Sequence, residues 1–178
     1  VRNSNQSRIG VIDIFAGPGG LGEGFSGFEA HAGSGHHPFE LAASAEMEVS
    51  AHATLRLRAF YRLLLRQEGE APSQYWEFLK ASPRMKPWGA VEFFSQGPWK
   101  ALWAQAEAEA LNLTLGSDPA ANQPLYDRID AVRARYDEMI LIGGPPCQAY
   151  SLVGRARQSK VVEFSRKGDP RHFLYKQY

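Results

Sequence analysis

The stretch that decides the fold is IGVIDIFAGPGG, residues 9–20. Residues 9–15 form a short β-branched run, which is typical of a buried strand in a parallel sheet. The glycines that follow let the backbone approach a ligand closely, and residues 23–28 continue in a helical pattern. A glycine-rich turn alone is often only a tight connection between strand and helix. Between this strand and this helix, however, it indicates the first unit of a nucleotide-binding α/β fold, in which the helix N-terminus offers free N–H groups.

A second strand is predicted at residues 39–45, and it ends in Glu46. An acid at the end of the second strand is where these folds hold the ribose hydroxyls of a nucleoside cofactor. The alternative is that Glu46 only starts the next helix, where an acid favours the helix macrodipole, and both can hold together. That helix is predicted over residues 47–67, and we expect its run of arginines to form a solvated basic face, with phosphate contact as the alternative. The arginines are Arg56, Arg58, Arg62 and Arg66.

The remaining pattern predicts a parallel sheet with helices on both faces. Residues 68–98 are rich in prolines and aromatics, and we interpret them as a helical insertion packed on the domain because linkers are poor in aromatics. An amphipathic helix over 99–113, whose aromatics we expect in the core, a third strand at 113–115, a helix over 124–136 and a fourth strand at 138–143 complete the order.

The second informative stretch is LIGGPPCQAYS, residues 141–151. A buried apolar strand, residues 139–142, stops at two glycines, and Pro145 and Pro146 then end the sheet and stiffen the turn. The turn carries Cys147, the only cysteine, to the carboxyl end of a strand, where open α/β sheets bind ligands. A lone cysteine is often just a small buried hydrophobe, but a rigid Pro-Pro step with a polar flank favours a presented thiol.

The segment behind Cys147 is basic. Residues 154–171 carry six lysines and arginines against two acids, which suits a phosphate-backbone ligand. A solvent-exposed loop without such a role is the alternative. His36 and His37 lack the partner set of a metal site, so we expect a solvated loop and no metal there.

Composition limits the class of protein. A chain of 178 residues suits one domain, and 44% apolar with 22% charged residues fits a globular chain. One cysteine excludes an intrachain disulfide framework and fits a reducing compartment. No apolar run approaches the roughly 20 residues of a membrane span, and no signal-peptide pattern is present. Because the chain begins at Val1 and stops at Tyr178 inside an apparent helix, we expect a piece of a longer protein.

Several motifs together resemble the DNA (cytosine-5) methyltransferases. They are DIFAGPGG (13–20), the acid at Glu46, GPPCQAYS (144–151) and DPRHFLY (169–175), in this order. The resemblance implies a Rossmann-like, S-adenosylmethionine-dependent methyltransferase fold, with residues 1–178 as a partial catalytic domain that ends before the later strands and the target-recognition domain. Residues 48–110 match nothing in that family.

The resemblance also implies roles for individual residues. Cys147 would be the catalytic nucleophile, Phe15 would lie beside the adenine, and Glu46 would hold the ribose. The implied cofactor-binding residues are Asp13, Phe15, Ala16, Gly17, Pro18, Gly19, Gly20, Glu46, Met47, Asp118 (loosely aligned), Pro146 and Leu174. The implied substrate-binding residues are Pro146, Gln148, Ser151, Arg155 and Arg157.

The implied reaction is methyl transfer from S-adenosyl-L-methionine to C5 of a flipped cytosine in double-stranded DNA, with S-adenosyl-L-homocysteine as product. The implied setting is restriction-modification in a prokaryotic cytoplasm, at the nucleoid. The family's Glu-Asn-Val motif, its arginine motif and its recognition domain are not in this chain. We therefore expect the isolated chain to be inactive and to need a complementary C-terminal segment or subunit.

Other functions stay open at this point. A tRNA cytosine-5 methyltransferase uses the same cysteine chemistry, and a non-catalytic module that binds cofactor or nucleic acid is a second class. A nicotinamide-binding domain shares only the first turn. Amino-methylating enzymes carry an aromatic after Pro-Pro, so Cys147 counts against that branch.

Overall fold

The computed structural model describes residues 7–81, 89–116 and 118–144. Pro146, Cys147, the basic segment and Leu174 lie outside these residues. In chain order the elements are β1 (Ile9–Ile14), α1 (Gly20–Ser26), β2 (Phe39–Glu46), α2 (Val49–Glu68), α3 (Ser73–Ala81), α4 (Gly89–Phe94), a 3₁₀ turn (Gly97–Trp99), α5 (Lys100–Glu109), β3 (Ala110–Asn112), α6 (Pro119–Val132), a second 3₁₀ turn (Arg133–Arg135) and β4 (Glu138–Gly143).

The strands form one parallel sheet in the order β3-β2-β1-β4. The chain moves outward from β1 to β2 and β3, then crosses back to place β4 on the other side of β1. This reversal puts a topological switch point between the carboxyl ends of β1 and β4, where open α/β sheets bind ligands. The α/β class is confirmed, and the order is consistent with a Rossmann-like methyltransferase fold.

Apolar side chains form two cores. Ile12 and Ile14 of β1 pack with Leu125 of α6, because alternate strand residues point to opposite faces. The other core joins helices α2 to α5, and Phe60 lies at its centre with ring centroids 4.6 Å from Phe94 and 5.3 Å from Trp103. The expectation that the aromatics around α5 belong to a core is confirmed for Trp103, which is fully buried.

The third strand was predicted at the wrong residues. It forms at Ala110–Asn112, not at 113–115, and the preceding helix ends at Glu109. The edge of β2 sets the pairing: β2 ends at Glu46, which is the register partner of Asn112. The Leu113 N–H still donates to the Glu46 carbonyl at 3.1 Å, but β2 ends there, and Leu113 and Leu115 pack in the core beside α6.

The starts of the helices also differ from the sequence pattern. The last helix was predicted over residues 124–136. It begins five residues earlier at Pro119, where Asp118 provides a cap by accepting the Ala120 N–H at 2.9 Å. Helix α1 likewise begins at Gly20 rather than residue 23, directly after the left-handed Gly19.

Strand β4 has the predicted bounds but not the predicted burial. Its residues are half-buried or exposed, and Leu141 is 43% exposed. The physical reason is position, since β4 lies at one edge of the described sheet and β1 lies at its centre. An apolar run indicates a strand, but it does not tell an edge from a centre.

The arginines of α2 do not form the expected solvated face. Arg62 pairs with Glu23 of α1 and with Glu109 at the end of α5, and it is only 10% exposed. Arg56 pairs with Glu107 at 3.3 Å, and Arg66 pairs with Glu40 of β2 at 3.1 Å. The helix carries no acid on this face, and its charge is balanced by acids distant in the sequence.

A bulge in β2 adds a further contact between layers. Val11 is the register partner of Leu41 and Ile12 of Ala43, so Ala42 is an extra residue. The Ala42 carbonyl accepts a hydrogen bond from Arg128 Nε at 3.0 Å. Arg128 of α6 is thereby fixed against the sheet.

Candidate functional site

The carboxyl edge of the sheet brings together three segments that the sequence singles out. The glycine turn follows β1, Glu46 ends β2, and Gly143 ends β4. Because Gly143 is the register partner of Ile14, the chain leaves β4 directly beside the glycine turn. Cys147 follows Gly143 by four residues in the sequence.

The backbone of the turn is in an uncommon conformation. Phe15 has φ of 55°, the only positive value among non-glycine residues of the described part of the chain. Bulky residues rarely adopt this region, and such conformations concentrate at ligand sites. The turn is anchored next to it, where the Ala16 N–H donates to the Ala45 carbonyl at 3.1 Å.

Each glycine position of the turn has its own structural reason for being glycine. Gly17 has φ of 56° and Gly19 has φ of 91°, which disfavour any other residue. A Cβ on Gly19 would lie 2.7 Å from Leu55 Cδ1 of α2, so Gly19 permits helix packing. A Cβ on Gly17 or on Gly20 would meet no described atom within 4 Å. The open side of the turn is therefore at Gly17 and Gly20, and Pro18 between the turn glycines is exposed.

Glu46 is joined to the turn by a hydrogen bond. Its Oε2 accepts the Gly17 N–H at 2.8 Å, and its Oε1 accepts the Glu48 N–H at 2.7 Å. A carboxylate oxygen has two lone pairs, so each oxygen retains acceptor capacity for a hydroxyl group. The turn after β1 and the acid after β2 thus form one unit, and ribose binding by Glu46 stays a prediction.

The residues after Glu46 expose an apolar surface. Met47 is 60% exposed, although its neighbour Glu48 is held in place as the N-cap of α2. An exposed thioether beside a carboxylate is suited to contact a flat ring. That Met47 lies near an adenine stays a prediction.

Asp13 lies beneath the turn, not on its open side. It is fully buried, and burial raises the pKa of its carboxyl to about 6, with the Gly22 backbone and Arg62 opposing the rise. The Gly22 backbone N–H lies close enough to lower the pKa of Asp13, but within the described residues neither carboxylate oxygen has a partner in good hydrogen-bond geometry. A Cβ on Gly22 would lie 3.1 Å from Asp13 Oδ2, so helix α1 packs closely against this carboxyl. The predicted contact of Asp13 with a cofactor stays a prediction.

Asp118 lies after β3 and caps α6, as described above. Near it, Asn122 holds the preceding loop by bonding both the N–H and the carbonyl of Gly116, at 3.2 and 3.1 Å. The cap explains an acid at Asp118 without a ligand, and its contact with an adenine amine stays a prediction.

The other predicted site residues lie outside the described residues. They are Pro146, Cys147, Gln148, Ser151, Arg155, Arg157 and Leu174. Within the described ranges, no group of three or more His, Cys, Asp and Glu side chains is arranged to hold a metal ion. No helix in those ranges is long and apolar enough to cross a membrane.

Sequence reasoning missed two contacts that shape the site. Leu55 of α2 packs on Gly19, and Arg62 holds Glu23 of α1. Helix α2 therefore contacts the start of α1 at two points. Neither contact has a local signal, because the partners are more than 30 residues apart in the chain.

The sequence of this chain is similar to those of known methyltransferases. The chain is similar to the type II methyltransferase M.Bpa9945I of Bacillus paralicheniformis, with 35% identity over 177 residues that cover 94% of this chain and 36% of that protein. It is also similar to M.OihORF3336P of Oceanobacillus iheyensis, which is named as a candidate type II methyltransferase, with 47% identity over 60 residues, 33% of this chain and 12% of that protein.

This chain thus spans about a third of the length of M.Bpa9945I, and it matches a smaller share of M.OihORF3336P. No protein-family model matches it, and no solved structure does. The similarity supports a relationship to type II methyltransferases, and the names do not specify which atom is methylated.

Proposed function

We propose that this chain is the cofactor-binding part of a DNA methyltransferase that methylates C5 of cytosine. The observation that carries the proposal is the hydrogen bond from the Gly17 amide to Glu46, which joins the turn and the acid at the carboxyl edge beside β4. The similarity to type II methyltransferases supports methyl transfer. The Pro-Pro-Cys sequence at 145–147 supports the C5 branch over amino methylation.

The turn fits S-adenosyl-L-methionine. Gly17 and Gly20 leave open space where a side chain would stand, so the backbone can approach a ligand closely. Glu46 would hold the ribose hydroxyls, and Phe15 and Met47 would contact the adenine. When bound, this group supplies an electrophilic methyl on a sulfonium. Asp13 acts from below, through the close packing of α1 on the sheet.

Cys147 supplies the nucleophile that C5 chemistry requires. Its thiolate adds to C6 of the flipped cytosine, and the new S–C6 bond gives C5 the character of an enamine carbon. C5 would then accept the methyl group as the sulfonium–methyl bond breaks and S-adenosyl-L-homocysteine leaves. The C5 proton would pass to water, and the electron pair of the C5–H bond would expel the Cys147 thiolate as the S–C6 bond breaks. Thiol chemistry suits both steps, since a thiolate is a strong nucleophile and also a good leaving group.

Cofactor binding is the first test. Isothermal titration with S-adenosyl-L-methionine should show binding that Glu46→Gln weakens by about tenfold or more, because hydrogen bonds to charged groups contribute about 1.5–3 kcal/mol. Glu48→Gln is the matched control, because Glu48 accepts only local N–H and O–H groups at the start of α2. Equal affinity in Glu46→Gln would exclude the assigned ribose contact.

The methylated atom needs a separate test. This chain, joined to the part of M.Bpa9945I that it does not match, should form a covalent complex with a duplex containing 5-fluorocytosine, and Cys147→Ser should abolish it. Nucleoside analysis of methylated DNA should show 5-methylcytosine. N4-methylcytosine or N6-methyladenine would refute C5 chemistry and leave methyl transfer standing. The chain alone should transfer no labelled methyl, and clear transfer would disprove the need for further residues.

A further inference from the structure

A second candidate site lies at the opposite edge of the sheet, where the strands begin. A cavity of about 250 Å³ opens there between the start of β2, the ends of α2 and α5, and the connection from α6 to β4. Its charged and aromatic lining residues are Glu40, Arg66, Glu109, Arg128, Arg135 and Tyr136. None of them belongs to the glycine turn.

The lining has a surplus of positive charge. Three arginines face two glutamates, and each glutamate is also paired with an arginine outside the lining: Arg8 on Glu40 and Arg62 on Glu109. Arg8 and Arg62 also contact acids that do not line the cavity. They are Glu23, paired with Arg62, and Asp137, which accepts the Arg8 backbone N–H.

Glu40 cannot neutralise the arginines around it. Arg66 and Arg135 reach its Oε1 at 3.1 and 3.3 Å, while Arg8 bonds its Oε2. Burial raises the pKa of Glu40, but these guanidinium groups outweigh it and hold the pKa below its usual range. Each guanidinium carries five N–H donors, so one carboxylate leaves most of them for another acceptor.

Arg128 adds a fixed cation to the cavity. Its Nε is bonded to the Ala42 carbonyl of the bulge, which orients the rest of the guanidinium. Burial is the main cause that lowers the pKa of Arg128; attraction to Glu109 and Glu40 opposes the shift, and repulsion from Arg135 adds to it. Two arginines that repel each other across a cavity are stabilised by an anion between them.

The size of the cavity limits the ligand. Pockets for drug-sized ligands measure about 300–1,000 Å³, so this one suits a smaller group. We infer that the cavity binds a phosphoryl dianion, through Arg66, Arg128 and Arg135, either as free phosphate or as the terminal group of a nucleotide. The site is independent of the cofactor turn at the other edge.

The test uses inorganic phosphate on the 178-residue chain, with chloride at equal ionic strength as reference. Phosphate should bind in isothermal titration and raise the melting temperature, since a ligand of the folded state stabilises it. Arg135→Gln should weaken binding by about tenfold or more. The Arg135 side chain is 52% exposed, so the variant should fold normally. Arg133→Gln is the matched control, because Arg133 is exposed in the same 3₁₀ turn and does not line the cavity.

Loss of binding in Arg135→Gln, with Arg133→Gln unchanged, supports the site. No phosphate binding to the parent chain, or equal affinity in both variants, overturns it. Adenosine monophosphate distinguishes the two sources: affinity well above that of phosphate assigns the group to a nucleotide, and equal affinity assigns it to free phosphate.

Discussion

Adjacent glycines of the turn are predicted to respond in opposite ways to the same substitution. Gly19→Ala places a residue with a side chain at φ of 91°, in the left-handed region. Left-handed strain costs about 1–2 kcal/mol. Its Cβ would also lie 2.7 Å from Leu55 Cδ1, well inside the roughly 3.5–4.0 Å of a normal carbon contact.

The net effect follows from these magnitudes. Overpacking costs about 1–3 kcal/mol, and the lower entropy of the unfolded chain returns about 0.4–1 kcal/mol. We therefore expect Gly19→Ala to lower the free energy of unfolding by about 1–5 kcal/mol. Gly20→Ala should leave it unchanged or raise it by up to about 1 kcal/mol, because its Cβ meets no described atom and Gly20 begins a helix.

The two variants should separate stability from binding. Urea unfolding followed by circular dichroism should show the loss only for Gly19→Ala, with a melting temperature lower by about 2–20 °C. Titration with S-adenosyl-L-methionine should show the opposite order, because a methyl at Gly20 intrudes on the open side of the turn. If Gly19→Ala is as stable as Gly20→Ala, the packing of the turn on α2 is wrong.

Three further substitutions test the interior, each against the parent chain in urea unfolding. Arg62→Met leaves Glu109 buried without its partner and should cost about 3–5 kcal/mol, and a loss below 1 kcal/mol would contradict a buried ion pair. The pKa of the Asp13 carboxyl is raised from 3.8 to about 6 in the folded state. Between about pH 4 and 6 the folded state therefore binds more protons than the unfolded state, and the free energy of unfolding falls as pH rises through this range. Asp13→Asn should remove that fall, and an unchanged pH profile would show that Asp13 does not titrate there. Asn122→Ala should cost about 2 kcal/mol by leaving the Gly116 N–H and carbonyl without their bonds, whereas exposed Gln123→Ala should cost almost nothing.

Sequence reasoning succeeded where a pattern is local. Strands β1, β2 and β4 lie where apolar runs end at glycine or at Glu46, so the parallel sheet was predictable. The ligand site at its carboxyl edge stays a prediction. The third strand was misplaced because Leu111, Leu113 and Leu115 alternate without a break. Only the end of β2, which pairs with residues 110–112, selects which part of that run becomes a strand.

The arginines of α2 show where a local pattern cannot decide. A basic helix face looks the same in sequence whether it is solvated or paired. The acids that pair with Arg62 lie 39 and 47 residues away, on α1 and α5. Their contact depends on how three helices pack on one face of the sheet, and that packing is a tertiary property.

The two candidate sites, at the carboxyl and amino edges of the sheet, differ in how far the sequence alone predicts them. At the carboxyl edge, the turn has open space at Gly17 and Gly20, and the carboxylate bonded to it is that of Glu46. We expect this chemistry to suit hydroxyl groups and a flat ring. A short glycine-rich stretch of sequence is enough to predict a site of this kind. At the amino edge, the candidate site is made of arginine side chains from residues 66, 128 and 135, which no motif connects. Anion recognition by guanidinium groups needs no special backbone, so only the folded chain brings those charges together.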